Sequence, residues 1–427
     1  MEEKLQAFAS SIKKDRILAE YDILQSMAHA RALENAGIIN EKDKKEIISG
    51  LEKMLEEYRK DNTFFDGKYD DIHMAVEEKL GECGKKLHAG RSRNDQVACD
   101  MRMYVRDSIG KITGALGSVS KALSAKADKI QSRTIFMPAC THMQRAQAVD
   151  MATYLGLYVE WFNRDKERLN DLLKRVNIMP LGSAAGAGTN IKLDRNILAQ
   201  ELGFDGFALN PMDAVSSRDY ILEFANTLSI LGVHFSRMAE EFVIFSTKEF
   251  SFIELDESIA DTSSIMPQKK NPDCFELVRS ASARMISTAV NLALLMKGLP
   301  LTYNRDMQDD KEIFVSVETA LAVTELLPVL IENISFNIEK LSSAASEGFI
   351  DAADFAEYLV LEKKIEFRTA HQLTGELVRK GIEKGYSMIG DFPLEELQEI
   401  VPEAGKDAFE FIKTENAVKR RLYEGIF

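Results

Sequence analysis

The chain has 427 residues, 45% of them hydrophobic and 29% charged, enough to bury a sizeable core and to form roughly two or three domains. With 54 Lys and Arg against 68 Asp and Glu, its formal net charge is −14, which argues against nucleic acid as a partner because counterion release needs clustered cations. Any anionic ligand would need a local basic pocket set against that field.

The first residues, MEEKLQAFASSIKKD, lack the basic-then-apolar order of a secretory signal. No apolar run reaches the ~18 residues of a membrane span, so no membrane partner is expected and a cytoplasmic location is. The four cysteines, Cys83, Cys99, Cys140 and Cys274, have no metal-ligand spacing and read as structural thiols of a reducing compartment. None of the nine prolines precedes Pro138, which permits long helices. A first non-helical segment, Leu87-His-Ala-Gly-Arg-Ser-Arg-Asn-Asp95, leads into a helical pattern. After Pro138, the block Thr141-His-Met-Gln-Arg-Ala-Gln147 is read as beginning another helix, with Thr141 and Gln144 placed to orient the His142 ring. A second loop, Pro180-Leu-Gly-Ser-Ala-Ala-Gly-Ala-Gly-Thr189, suits close backbone approach to a ligand but lacks the pattern of a phosphate loop.

Beyond Pro211, Ile221, Phe224, Leu228, Leu231, Phe235, Met238, Phe242 and Phe245 recur at alternating spacings of three and four. This is the seam of a long helix, expected to open at Asp213 as its N-cap and to pack within a bundle. A third loop, Asp261 to Asp273, gathers the hydroxyls of Ser263 and Ser264, the ammonium groups of Lys269 and Lys270, and the Asn271 amide. Each of the three loops precedes a helical pattern, so helix-start N–H groups could face an anion. The polar run Tyr303-Asn-Arg-Asp-Met-Gln-Asp-Asp-Lys311 reads by default as a solvated face. Alternating strand patterns are largely missing, so the expected class is mainly α. The flanking patterns place an N-terminal helical domain over 1–91, a central long-helix bundle over 92–340 and a small helical C-terminal domain over 341–427.

Four blocks in this order, His88 to Gln96, Thr141 to Gln147, Ser263 to Asp273 and Tyr303 to Glu312, resemble the argininosuccinate lyase family of the fumarase/aspartase superfamily. The resemblance covers nearly the whole chain, from Ser11 to about His371. It implies a cofactor-free and metal-free carbon–nitrogen lyase that reversibly splits argininosuccinate into fumarate and arginine, the last step of arginine biosynthesis. It also implies a homotetramer in which the central domain's long helices form a shared core and each active site draws on three chains.

By the same resemblance, Ser263 is the general base and His142 assists proton transfer to the leaving guanidino nitrogen. Lys269 and Asn271 stabilise the aci-carboxylate, and Glu276 partners the histidine. Ser92, Arg93, Asn94 and Thr141 grip the fumarate half, while Ser11, Asp15, Tyr303, Gln308 and Lys311 hold the arginine half. The chemistry agrees. Removing a proton next to a carboxylate puts a second negative charge on that group, so cationic and amide donors aimed there are the main catalytic need.

The chain departs from the family's usual residues at Ala89, Cys140, Ala148, Pro211 and Thr262, none of which removes a candidate catalytic group. Two alternatives are weaker: a superfamily lyase acting on another N-substituted succinate, and a non-catalytic, crystallin-like structural protein. The groups around Tyr303, Gln308 and Lys311 favour a guanidino-bearing leaving group over the first. The presence of His142, Ser263, Lys269 and Asn271 speaks against the second.

Overall fold

Long helices dominate the computed structural model, which describes residues 2–67, 69–262 and 265–422. The longest are Arg93–Lys129 (37 residues), Asp219–Phe245 (27), Met151–Val176 (26), Asp273–Met296 (24), and Glu41–Lys60 and Ile313–Glu332 (20 each). Among the described residues, strands occur only as four two-stranded pairs, so the expected mainly α class holds. The chain divides into two units.

One unit comprises Met1–Ala115, Asp165–Val233 and Ala281–Ala322. Its N-terminal part packs the helices Ala19–Asn35 and Glu41–Lys60 against each other. Asn40 caps the second by accepting the Asp43 N–H at 3.0 Å.

The other unit comprises Leu116–Arg164, His234–Ser280 and Val323–Phe427. Its C-terminal portion has its own core of Phe355, Tyr358, Leu377, Phe392 and Leu397 among others. At the end of the Ile313–Glu332 helix, the Lys126 ammonium donates to the Glu332 carbonyl at 3.0 Å and also to that of Ile334. The first of these is an acceptor that the helix C-terminus leaves open.

The predicted seam is buried as expected: Ile221, Phe224, Leu228, Phe235, Met238 and Phe242 are fully inaccessible. Its start is not where the sequence suggested. Asn210, rather than Asp213, caps a short helix, Pro211–Ser216, accepting the Met212 and Asp213 N–H groups. The chain is then extended at Ser217, and the long helix opens only at Asp219. The break is held by Arg218, which is buried and donates to the Val215 and Ser217 carbonyls.

The Ile313–Glu332 helix lies in the one stretch among the described residues that is long and apolar enough to cross a membrane. The window's mean hydropathy is 1.8 and 56% of it is buried within the protein. A core helix satisfies the same criterion, and Glu318 and Glu325 lie within this one.

Candidate active site

In the first unit, Ser92 precedes the Arg93–Lys129 helix. Its hydroxyl accepts the Asn94 N–H at 3.3 Å, and its own N–H donates to the Asp95 carboxylate at 2.9 Å. Ser92, Arg93 and Asn94 thus occupy a helix start, where the positive end of the macrodipole favours an anion. Arg93 is oriented from two sides: its guanidinium lies 3.2 Å from the Asp71 carboxylate and donates to the Gln96 side chain at 2.7 Å. All three residues remain partly accessible.

The five residues expected to hold an amino acid also lie in this unit. Ser11 donates to Asp15, and the Asp15 carboxylate lies 3.1 Å from the Lys311 ammonium. Lys311 donates as well to the Gln308 carbonyl at 3.3 Å. Asp15 and Lys311 are 1% and 4% exposed, so the run Tyr303 to Lys311 is solvated at Arg305 and Asp306 but not at its end, where Asp310 and Lys311 are buried. Burial is tolerated because the charges balance. Lys311 is 4.0 Å from Asp310, whose other oxygen accepts from Arg218 at 2.6 Å, giving two acids and two bases. Burial alone would lower the Lys311 ammonium, but Asp310 and Asp15 outweigh it and hold its pKa above the usual lysine value. Burial raises the Tyr303 phenol, opposed by the nearby cations Lys311 and Arg218.

In the second unit, Thr141 and His142 are not at a helix start. Strands Phe136–Thr141 and Gln144–Asp150 form an antiparallel hairpin, and the next helix begins at Met151. His142 and Met143 form the two-residue turn with φ of 54° and 59°, the left-handed pair such tight hairpins require. Asn-Gly usually announces this turn and His-Met does not, which is why the sequence concealed it. Thr141 and His142 are both exposed.

The third loop is closed at its base by pairing of Asp261 with Asn271 and of Thr262 with Lys270. Ser263 and Ser264 lie outside the described residues. Lys269, Asn271 and Glu276 line one cleft of about 950 Å³. Lys269 is exposed and Asn271 partly so. Glu276 sits in the first turn of the Asp273–Met296 helix, 4.0 Å from Arg279, which itself pairs with Glu240 at 2.5 Å.

Arg218 and Asp95 carry little signal in the sequence. Each is an ordinary charged residue in the sequence, and only burial marks it; the sole local hint for Arg218 was its place just past a proline-opened turn. Equally silent in the sequence is a buried group, Asp22, His73 and Asp100, the one set among the described residues close enough to hold a metal ion. A 2.8 Å hydrogen bond joins His73 to Asp100. Burial disfavours the imidazolium, but Asp22, Asp100 and Asp71 outweigh that and raise His73 to about 9. With its proton in place the ring is the cation of a buried ion cluster, held by the surrounding carboxylates.

The chain matches the lyase family over residues 2–287 and the argininosuccinate lyase C-terminal family over residues 349–419. It is 44% identical over 426 residues to the argininosuccinate lyase of Caldanaerobacter subterraneus, covering 99% of this chain and 95% of that one. It is 43% identical over 423 residues to that of Alkaliphilus metalliredigens, covering 98% and 91%. Among solved structures, a variant EDDS lyase with bound fumarate superposes with a TM-score of 0.83 at 27% identity, covering 97% of this chain and 84% of that one. The class II fumarase of Schistosoma mansoni superposes with a TM-score of 0.79 at 15% identity, covering 96% and 91%, and so shares the fold. By sequence over its whole length and by fold, the chain belongs to the argininosuccinate lyase family of the fumarase/aspartase superfamily.

Proposed function

We infer that the protein catalyses the reversible β-elimination of argininosuccinate to fumarate and L-arginine. One observation carries the arginine half of this reading: a carboxylate and an ammonium, Asp15 and Lys311, sit 3.1 Å apart and buried, with the Tyr303 phenol within electrostatic reach of Lys311. Such a pair is the complement of an amino acid's α-ammonium and α-carboxylate, whose binding would replace one internal ion pair by two intermolecular ones. The helix start carrying Ser92, Arg93 and Asn94, with Thr141, supplies donors for the dicarboxylate half.

In the proposed chemistry Ser263 removes the proton from the carbon next to a succinyl carboxylate. The electron pair is held on that carboxylate as an aci form, stabilised by Lys269 and Asn271. It then returns to form the fumarate double bond as the C–N bond breaks, and His142, partnered by Glu276, assists delivery of a proton to the guanidino nitrogen.

A homotetramer with active sites shared between chains, and the three-domain division at about 91 and 340, belong to the same proposal. Two features support assembly. His142 and Lys269 are exposed in the single chain, although acid–base and carboxylate chemistry gain from excluded water. Long helices also leave large apolar side chains uncovered, including Leu277, Val290 and Leu294 on one and Val315, Leu326 and Val329 on another.

The test is an absorbance assay for fumarate with argininosuccinate set beside adenylosuccinate and aspartate. The reading requires kcat/KM for argininosuccinate to exceed the others by orders of magnitude. Preference for another N-substituted succinate would replace it with the alternative superfamily lyase.

A further inference from the structure

The glycine-rich loop 180–189 carries no residue of the proposed chemistry, yet it is hydrogen-bonded to one half-site of the first unit and lies close beside the other. At one end is Asp95, fully buried at the start of the Arg93–Lys129 helix. Its carboxylate accepts three backbone N–H groups: Ser92 at 2.9 Å, from its own helix start, and Gly182 at 3.1 Å and Ala184 at 2.8 Å, from the loop. A second contact runs alongside. Gly90 has a φ of +72°, and a Cβ there would lie 3.4 Å from Ile191.

At the other end, a Cβ on Gly186 would lie 3.4 Å from Val215 and 3.6 Å from Thr302, the neighbour of Tyr303. The Val215 carbonyl in turn accepts from Arg218, which holds Asp310 beside Lys311. Both Gly182 and Gly186 have the positive φ that favours glycine, +86° and +110°, and a Cβ on Gly182 would also lie 3.0 Å from the Arg195 side chain.

We propose that Asp95 is a positioning residue whose carboxylate fastens the 180–189 strap to the helix start holding the fumarate half, the strap in turn fixing that helix start against the turn holding the arginine half. This rests on the functional reading above. A carboxylate is suited to the task because it alone offers acceptors enough for three N–H groups without presenting a donor to any of them. Its removal affects ground state and transition state alike, so it acts on affinity rather than on the chemical step.

Burial raises the Asp95 acid to about 6, against the pull of the three N–H groups and of Arg91. The other ionisable groups facing it are Arg195, from the helix after the strap, and Cys99, from its own helix. Protonation below that pH turns one acceptor into a donor and loosens the tie.

The experiment compares the assembled wild-type enzyme with Asp95→Asn and Gly186→Ala. It uses calorimetric titration of fumarate from pH 5 to 8, KM and kcat for argininosuccinate, and product inhibition by arginine. For Asp95→Asn we expect the fumarate Kd and the argininosuccinate KM to rise about ten-fold at pH 7.5, with kcat within about three-fold. Wild-type fumarate affinity should fall as pH drops through about 6, and that acid limb should be absent in Asp95→Asn. For Gly186→Ala the arginine inhibition constant should rise more than the fumarate Kd. A residue that only supported folding would shift the melting temperature and leave the constants and the pH limb of the assembled enzyme unchanged; that result overturns the proposal. Should Asp95→Asn not assemble, the wild-type pH limb and the Gly186→Ala constants decide, and their absence is equally fatal. If wild type binds fumarate but does not cleave argininosuccinate, the functional reading fails while the titrations still judge Asp95. If wild type binds no fumarate, both fall.

Discussion

Replacing Lys311 by Met keeps the length of the side chain and deletes one charge from a buried, balanced set. Asp15, Asp310, Lys311 and Arg218 are each at most 4% exposed and sum to zero charge; the variant leaves a net −1 in the same volume. At 3.1 Å from Asp15, and with an effective dielectric of about 20, the lost attraction is about 5 kcal/mol. Breaking buried pairs by removing one partner is observed to destabilise by about 3–5 kcal/mol, so the two scales agree. We expect urea unfolding followed by circular dichroism, at fixed protein concentration, to show a loss of about 3–5 kcal/mol for Lys311→Met. The double variant Asp15→Asn with Lys311→Met should recover most of it, because the uncompensated charge is gone. A single variant within 1 kcal/mol of wild type, or a double variant no better than the single, would refute the balanced-burial account. The sign with pH follows from the raised Lys311 pKa: its contribution is complete below the ordinary lysine value and is lost as pH rises through the folded-state value.

Four further outcomes are expected. Ser263→Ala should abolish fumarate release while leaving fold and assembly intact; appreciable residual turnover would remove Ser263 from the role of base. If sites are shared between chains as proposed, mixing His142→Ala with Ser263→Ala subunits should restore partial activity on re-assembly, and no recovery after verified subunit exchange would argue against shared sites. His73 is raised to about 9, so its imidazolium contributes stability that is full below about 6.5 and lost as pH rises through about 9. Urea midpoints between pH 6 and 10 should show this alkaline loss in wild type and not in His73→Asn. Asn210→Ala should destabilise by about 1 kcal/mol by uncapping the Pro211–Ser216 helix, read from the same unfolding curves.

The residues by themselves determined the helical class, the seam from Ile221 to Phe242, and the blocks that identify the family, because these depend on local periodicity and on residue identity in order. They did not determine how the backbone carries His142, since a His-Met turn at positive φ has no local signature and is imposed by the pairing of Phe136–Thr141 with Gln144–Asp150. Nor did they separate the short Pro211–Ser216 helix from the long one after it, a break held by the buried side chain of Arg218. The run from Tyr303 to Lys311 is the clearest case. Its composition is that of a solvated surface, and Arg305 and Asp306 are exposed, yet Asp310 and Lys311 are buried because Asp15, some three hundred positions earlier, and Arg218 neutralise them. Charge balance across such distances is a property of the tertiary structure alone, since burying an ion is unfavourable until its partner is in place, and no local pattern records where that partner will be.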